Sequence, residues 1–465
     1  MERADLILRG GRIVTPAGII EGDVAVAAGR ILSVGEAPGR AAREIDAGGK
    51  WVMPGGVDPH AHIEQMSGMG LMCADTFETA TRSAAMGGTT SVISFVAQGQ
   101  GARLAPGVAD YAARAARGAM IDHAFHLIVA DTSVEAFEAD LAELIRAGHR
   151  SIKVFTTYRI RLDDAAILKV MDAAKADGAL VCVHAENDAL IARAKAALLA
   201  EGKTAPRFHA ASHPRAAEIE AIGRMCRFAE HTGQPVMIFH VSTAEGAEVV
   251  RRAKARGVPV TAETCPHYLF MTEEVLSRPD GGKWMCSPPQ RTAEDQAALW
   301  AALEDGTLDL VSSDHAPFRY DETGKLAAGP GAAFPDIANG LPGLETRLPL
   351  LFDAMVTKGR MGPEAFAQLT AGIPAALYGL DAKGAIAPGK DADLVIWDAE
   401  KSVTYGADDL HDNVGYNPWE GVTVTGWPET VLLRGEVIVE EGTCRAEPGQ
   451  GRWIDRRHLP DALAP

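Results

Sequence analysis

The sequence predicts an α/β protein, an eight-stranded (β/α)8 barrel set into a small β-domain that both chain termini build. Three observations lead there. Between about residues 51 and 380, eight short apolar strand candidates alternate with helical stretches, the pattern of a parallel sheet with helical crossovers. The two ends of the chain carry similar strand–turn–strand patterns. Several central strands end in a side chain able to bind a metal or move a proton, and a barrel gathers its C-terminal strand ends on one face.

The first fifty residues read as β-structure. Leu6-Ile7-Leu8, Ile13-Val14 and Val24-Ala25-Val26 are apolar runs broken by turn signals at Gly10-Gly11, Pro16-Ala17-Gly18 and Ala28-Gly29. The central strand candidates are 52–62, 89–95, 121–129, 151–155, 179–184, 235–240, 258–263 and 308–313. Helical candidates lie between them. In 134–147 the residues Val134, Phe137, Leu141, Leu144 and Ile145 recur at helical spacing. Others cover 163–176, 215–231, 244–255 and 293–304. An open doubly wound sheet would use the same alternation, but no G-x-G-x-x-G follows an early strand. Near the other end, Val431-Leu432-Leu433-Arg434-Gly435-Glu436-Val437-Ile438-Val439 echoes Leu6-Ile7-Leu8-Arg9-Gly10-Gly11-Arg12-Ile13-Val14, and 391–397 adds a further strand. Two unrelated hairpins would also look alike; one shared domain is the reading taken. The expected division is 1–53 and 384–465 for the β-domain and 54–383 for the barrel.

Composition narrows the function. The 465 residues are 47% hydrophobic and 23% charged, which excludes a largely disordered chain. Lys and Arg number 45 against 62 Asp and Glu, a net charge of −17 that repels phosphate backbones and anionic membranes. Neither nucleic acid nor membrane is therefore an expected partner. No apolar run reaches the roughly 18 residues a membrane span needs. Glu2, Arg3 and Asp5 precede any apolar stretch, unlike a signal peptide. The six cysteines (Cys73, Cys182, Cys226, Cys265, Cys286 and Cys444) show no C-x-x-C spacing, consistent with a reducing cytoplasm.

Chemistry is concentrated at the strand ends. In His60-Ala61-His62 the imidazoles stand at i and i+2, on one face of an extended chain. Pro59 lacks an N–H, which suits a strand leaving its ladder at a barrel rim. Lys153 interrupts the apolar strand 151–155; other strands lead into His184, His240 and Asp314. Each residue alone has an ordinary explanation. A strand-end His is commonly a hydrogen-bonded rim residue, a buried Lys an ion-pair partner, and an Asp a helix cap. Together, four of fourteen histidines at such positions argue for a shared metal site, since neutral imidazole suits zinc. The remaining histidines, including His123, His126, His267 and His315, read as structural or as supports behind the ligands.

These motifs resemble the cyclic amidohydrolases of the amidohydrolase superfamily, most closely the dihydropyrimidinase/hydantoinase branch. The likeness runs from about residue 5 to 440 in family order. It is carried by Pro54-Gly55-Gly56-Val57-Asp58-Pro59 before His60-Ala61-His62, Lys153-Val154-Phe155 with Tyr158, His184-Ala185-Glu186-Asn187 and His240-Val241-Ser242-Thr243-Ala244-Glu245-Gly246. Glu263-Thr264-Cys265-Pro266, Cys286-Ser287-Pro288-Pro289, Ser313-Asp314-His315-Ala316-Pro317 and Asn339-Gly340 followed by Gly343-Leu344-Glu345 extend it. The resemblance implies a TIM barrel with a β-sandwich of both termini, a cytoplasmic homotetramer, and two Zn2+ per chain. His60, His62 and Asp314 would hold one zinc and His184 and His240 the other. Lys153, carbamylated by carbon dioxide, would bridge them together with a hydroxide. Two zinc ions against carbamate, Asp314 and hydroxide leave about one positive charge, whereas an ammonium would repel both ions.

The implied reaction is hydrolysis of a ring amide or imide, opening 5,6-dihydropyrimidines or 5-substituted hydantoins to N-carbamoyl amino acids. Asp314 would carry the proton and Tyr158 would donate to the oxyanion, while Ser287 and Asn339 would grip the imide edge through main-chain groups. Dihydroorotate-specific relatives carry an Arg two residues after the second His; Glu64 stands there, followed by Gln65. An allantoinase-type activity stays open, because Cys265-Pro266-His267-Tyr268-Leu269 resembles that branch too. Some relatives are non-catalytic scaffolds lacking metal ligands, but all six ligands and the tyrosine are kept here. Residues 65–72, with Met66, Met69 and Met72, replace a shorter, more polar or aromatic loop. They form either an adaptable apolar wall for the ring substituent or packing against the next helix.

Overall fold

The computed structural model describes residues 3–37 and 39–456. The chain opens with β1 (Leu6–Thr15), β2 (Gly18–Ala27), β3 (Arg30–Gly35), β4 (Arg43–Asp46) and β5 (Trp51–Pro54). The barrel strands follow: β6 (Gly56–Ala61), β7 (Thr89–Ala97), β8 (Asp122–Ile128), β9 (Ser151–Phe155), β10 (Leu180–His184), β11 (Val236–Ile238), β12 (Val260–Thr264) and β13 (Leu310–Val311). The C-terminal part adds β14 (Leu394–Thr404), β15 (Thr423–Leu433), β16 (Glu436–Glu440) and β17 (Thr443–Cys444).

Strands β6 to β13 pair in sequence order, each parallel to the next. The ends of this sheet meet: Ala61 and His315 form a parallel bridge, and the His62 N–H donates to the His315 carbonyl at 2.7 Å. Period-two alternation sorts the side chains. Leu180, Cys182, Met237 and Phe239 pack in one buried cluster with Phe95 and Phe155, while Val181, Val183, Val236 and Ile238 pack in another with the helices. Ile152 and Val154 belong to the helix-side cluster, so Lys153 between them faces the same way as Phe155.

The crossover helices have local reasons to start where they do. Thr243 caps Ala244–Ala255 by accepting from Gly246 N–H, and Thr292 with Asp295 forms a capping box on Ala293–Glu304. Both expected spans match. The helix expected over 134–147 begins only at Phe137, because Ala136 adopts a left-handed φ of 60° that interrupts the helical turn.

Both termini build one further sheet of nine strands, with the path β17-β16-β15-β14-β5-β1-β2-β3 and β4 on β1. It encloses Leu8, Ile13, Val24, Val52, Leu394 and Leu432. Two details differ from expectation. Gly10-Gly11 is not a turn: β1 runs straight through it with a register break between Leu8 and Gly11. The first half of β1 pairs with β4 and the second with β5. A side chain at Gly11 would collide with Val52, so the glycine serves a bulge and a close approach. The matching Arg434-Gly435 does form a turn, between β15 and β16, with φ of 48° and 76°. The strand expected over 52–62 divides at Gly55 between the two sheets. A Cβ there would overlap Thr90 of the barrel.

The last described segment returns to the barrel. The Gly451 N–H donates to the Ala119 carbonyl, the His123 N–H to Arg452 and the Ile454 N–H to His123, and fully buried Arg456 reaches Ser151 and the Phe125 carbonyl.

Candidate active site

The C-terminal strand ends bring the predicted residues to one rim. β6 delivers His60 and His62 to the same side, and the chain after β13 delivers Asp314. His60 Nε2 lies 3.0 Å and His62 Nε2 3.6 Å from Asp314 Oδ1. Ligand atoms of these three residues lie within 4.8 Å of one another. Lys153 Nζ is 3.5 Å from His60 Nε2. The His184 and His240 rings stand 4.5 Å apart, and His240 is 5.5 Å from His60. Tyr158 packs its ring 5.2 Å from His184. All seven residues thus meet. Backbone strain marks the same place: Tyr158, His240 and Asp314 are three of the eight non-glycine residues with positive φ among the described residues.

The imidazoles are oriented from behind. His60 Nδ1–H donates to buried Glu263 at 2.5 Å, and His62 Nδ1–H to Gln65 at 2.6 Å, which turns both Nε2 atoms toward Asp314. His184 Nε2–H donates to Glu186 at 2.9 Å, leaving Nδ1 as its lone-pair nitrogen; His213 Nδ1–H donates to the other oxygen of Glu186 at 2.8 Å. His240 Nδ1 is buried with no hydrogen-bond partner. Carboxylate-backed imidazoles with free lone pairs are the donor set of a nitrogen–oxygen metal site. Burial of the Asp314 carboxyl favours protonation, but His60, His62 and His240 outweigh it and hold the group well below the usual carboxylate range.

Lys153 is 1% exposed and sits over the rings of Phe239, Phe95 and Phe155, 4.1, 4.9 and 4.9 Å from their centres. Burial draws its pKa down to about 8, against the opposing pull of Asp314 and Glu263. About one-tenth of the amine is then free at pH 7, far more than for an exposed lysine, and a free amine is what adds carbon dioxide. Burial also pushes the Tyr158 phenol up, with Glu186 adding to the effect, so the hydroxyl stays a donor. Ser287 and Asn339 lie near that hydroxyl and bond each other at 2.9 Å, Asn339 Nδ2–H donating to Ser287 Oγ.

Sequence reasoning missed the roles of Glu263, Glu186, His213 and Gln65. An acidic residue inside the short strand β12 is the same signal that singled out Lys153, and it could have found Glu263. Nothing local marks His213. His315, read as a support, spans Asp75 at 3.0 Å and Gly343 N–H at 3.0 Å. Residues 65–72 form a hairpin based on Gln65 and Cys73, with Met66 bridging Met72. Met66, Met69 and Met72 are 51%, 48% and 47% exposed, so about half of each side chain is open to solvent. Leu71 anchors the hairpin on Cys73, Phe318 and Ala338.

Fold and rim together define the class, a (β/α)8 barrel with histidine, carboxylate and lysine side chains converging where such barrels carry their active sites. The chain belongs to the Amidohydrolase family, whose model matches residues 51–438. It is 42% identical over 458 residues to a D-hydantoinase of Ralstonia pickettii, covering 97% of this chain and 99% of that protein. A solved D-hydantoinase superposes with a TM-score of 0.94 at 42% identity, covering 98% of this chain and all of that one. The dihydropyrimidinase of Brevibacillus agri does so with a TM-score of 0.94 at 36% identity, over 99% of each chain.

Proposed function

We propose that this protein is a zinc-dependent cyclic amidase that opens 5,6-dihydropyrimidines or 5-substituted hydantoins to N-carbamoyl amino acids. The observation that carries this reading is the convergence of His60, His62, Lys153, His184, His240, Asp314 and Tyr158 on one rim. Full-length likeness to D-hydantoinase and dihydropyrimidinase supports it. His60, His62 and Asp314 would hold one metal and His184 with His240 a second. Carbon dioxide would add to the free amine of Lys153, forming a C–N bond with loss of one proton, and the carbamate oxygens would bridge. Two zinc ions bound there would lower the pKa of a shared water and polarise the ring carbonyl.

The protein's own groups do the rest. Asp314, held ionised, accepts a proton from the attacking water and returns it to the leaving ring nitrogen. The Tyr158 hydroxyl donates to the oxygen that gains charge in the tetrahedral intermediate. The main chain of Ser287 and Asn339 holds the imide edge. A homotetrameric assembly, a cytoplasmic setting and the division at residues 53 and 383 belong to the same proposal. No helix among the described residues is long and apolar enough to cross a membrane.

Protein expressed in zinc-supplemented medium should carry about two zinc ions per chain. It should open members of a panel of dihydrouracil, 5-substituted hydantoins, allantoin and small cyclic imides. Absence of both zinc and turnover would refute the proposal, and turnover of allantoin alone would replace the substrate class.

The exposed methionines beside His62 make a second expectation. An aryl or alkyl 5-substituted hydantoin should exceed its 5-carboxymethyl analogue in kcat/KM by at least about tenfold, or about 1.4 kcal/mol, because burying an unpaired carboxylate is costly. Equal values would show that the hairpin does not set specificity.

A further inference from the structure

Lys325 is a fully buried lysine outside the histidine cluster. Lys325 is 0% exposed, in a turn that Gly324 makes possible, since a side chain at 324 would overlap the Arg319 backbone. Among the described residues no carboxylate lies within ion-pair distance of its ammonium. The Nζ donates instead to two carbonyl oxygens, Met285 at 3.1 Å and Ala338 at 2.9 Å. Burial draws the Lys325 pKa down to about 7, so at neutral pH the group is an ammonium about half of the time and a neutral amine otherwise; either form donates to the carbonyls, yet an apolar side chain would fill the space at lower cost. Its placement calls for a reason beyond packing.

The two carbonyls supply one. Met285 and Ala338 flank the segments that present Ser287 and Asn339. The Gly340 N–H donates to the same Met285 oxygen at 2.8 Å, and His209 Nε2–H holds the Cys286 carbonyl at 2.7 Å. Main-chain groups on either side of Ser287 and Asn339 are therefore tied down, and this pair lies near the Tyr158 hydroxyl. The Lys325 Nζ–H on the Ala338 oxygen also polarises the Ala338–Asn339 peptide, most strongly when the amine is protonated, which makes the Asn339 N–H a stronger donor.

We infer that Lys325 is a positioning residue for the substrate ring: by pinning the Met285 and Ala338 carbonyls it fixes the spacing and donor strength of the Ser287 and Asn339 main chain that grips the imide edge. The inference rests on the cyclic-amidase reading above. A grip made equally in the bound substrate and the transition state governs KM more than kcat.

The test compares the full-length wild type with Lys325→Met, using dihydrouracil and unsubstituted hydantoin so that the methionine hairpin has no substituent to contact. In Lys325→Met, KM should rise about tenfold while kcat stays within about threefold. Zinc content and Tm should remain near wild type. An unchanged KM in the folded, zinc-loaded variant overturns the inference. So does a joint fall of kcat, zinc and Tm, which marks a merely structural lysine. Should Lys325→Met not fold, Lys325→Arg and Lys325→Gln decide it: the arginine keeps the charge and a KM near wild type, the glutamine does not, and equal values overturn the inference. An inactive wild type would sink the functional reading and this inference together. An active wild type indifferent to residue 325 would sink the inference alone.

Discussion

Replacing Lys153 with alanine should remove zinc and activity together, with a fall in kcat/KM on the order of 10³-fold, about 4 kcal/mol of transition-state stabilisation. The reasoning is local. The amine lies 3.5 Å from His60 Nε2 with three phenylalanine rings around it, where a carbamate would place its oxygens beside the histidines. Truncation leaves a gap where the amine stood, so short carboxylic acids added with zinc should restore part of the activity. Wild-type protein ionised gently should carry one extra carbon dioxide on the peptide containing Lys153, and acid should strip it. Full zinc and full activity in Lys153→Ala would show that the bridge is not this residue.

Tyr158→Phe should leave zinc content near wild type while kcat falls by roughly 10²–10³, the usual effect of losing one oxyanion donor. Phenylalanine keeps the ring beside His184 and the same left-handed backbone, φ 70°, that the tyrosine adopts. Only the hydroxyl near Ser287 and Asn339 is lost. KM should change less, because the bond strengthens as charge develops on the oxygen. The opposite pattern, loss of metal or a raised KM at constant kcat, would reassign Tyr158 to scaffolding or ground-state binding.

Much of the barrel was legible because its signals are local. Helices Ala244–Ala255 and Ala293–Glu304 begin at threonine caps that lie next to them in sequence. His60 and His62 share a face because a strand alternates every two residues, and the same alternation turns Lys153 toward the bore. Where a local pattern has two outcomes, local reading fails. Arg9-Gly10-Gly11 and Arg434-Gly435 look alike, yet one is a bulge and the other a turn. The difference lies in β5, which pairs with the second half of β1 and presses Val52 against Gly11.

The amino-acid sequence by itself determined the order of the strands, the kinds of side chain that end them and, through its motifs, the family. Only the tertiary structure decided which nitrogen of each imidazole faces the site. Glu263 stands 203 residues from His60 and His213 stands 27 from Glu186, and no periodicity links such partners. It also decided that Lys325 meets two carbonyls rather than a carboxylate. Periodicity and capping act over a few residues. Hydrogen-bond partners in a barrel come from strand ends that are distant in sequence and neighbours only once the sheet has closed.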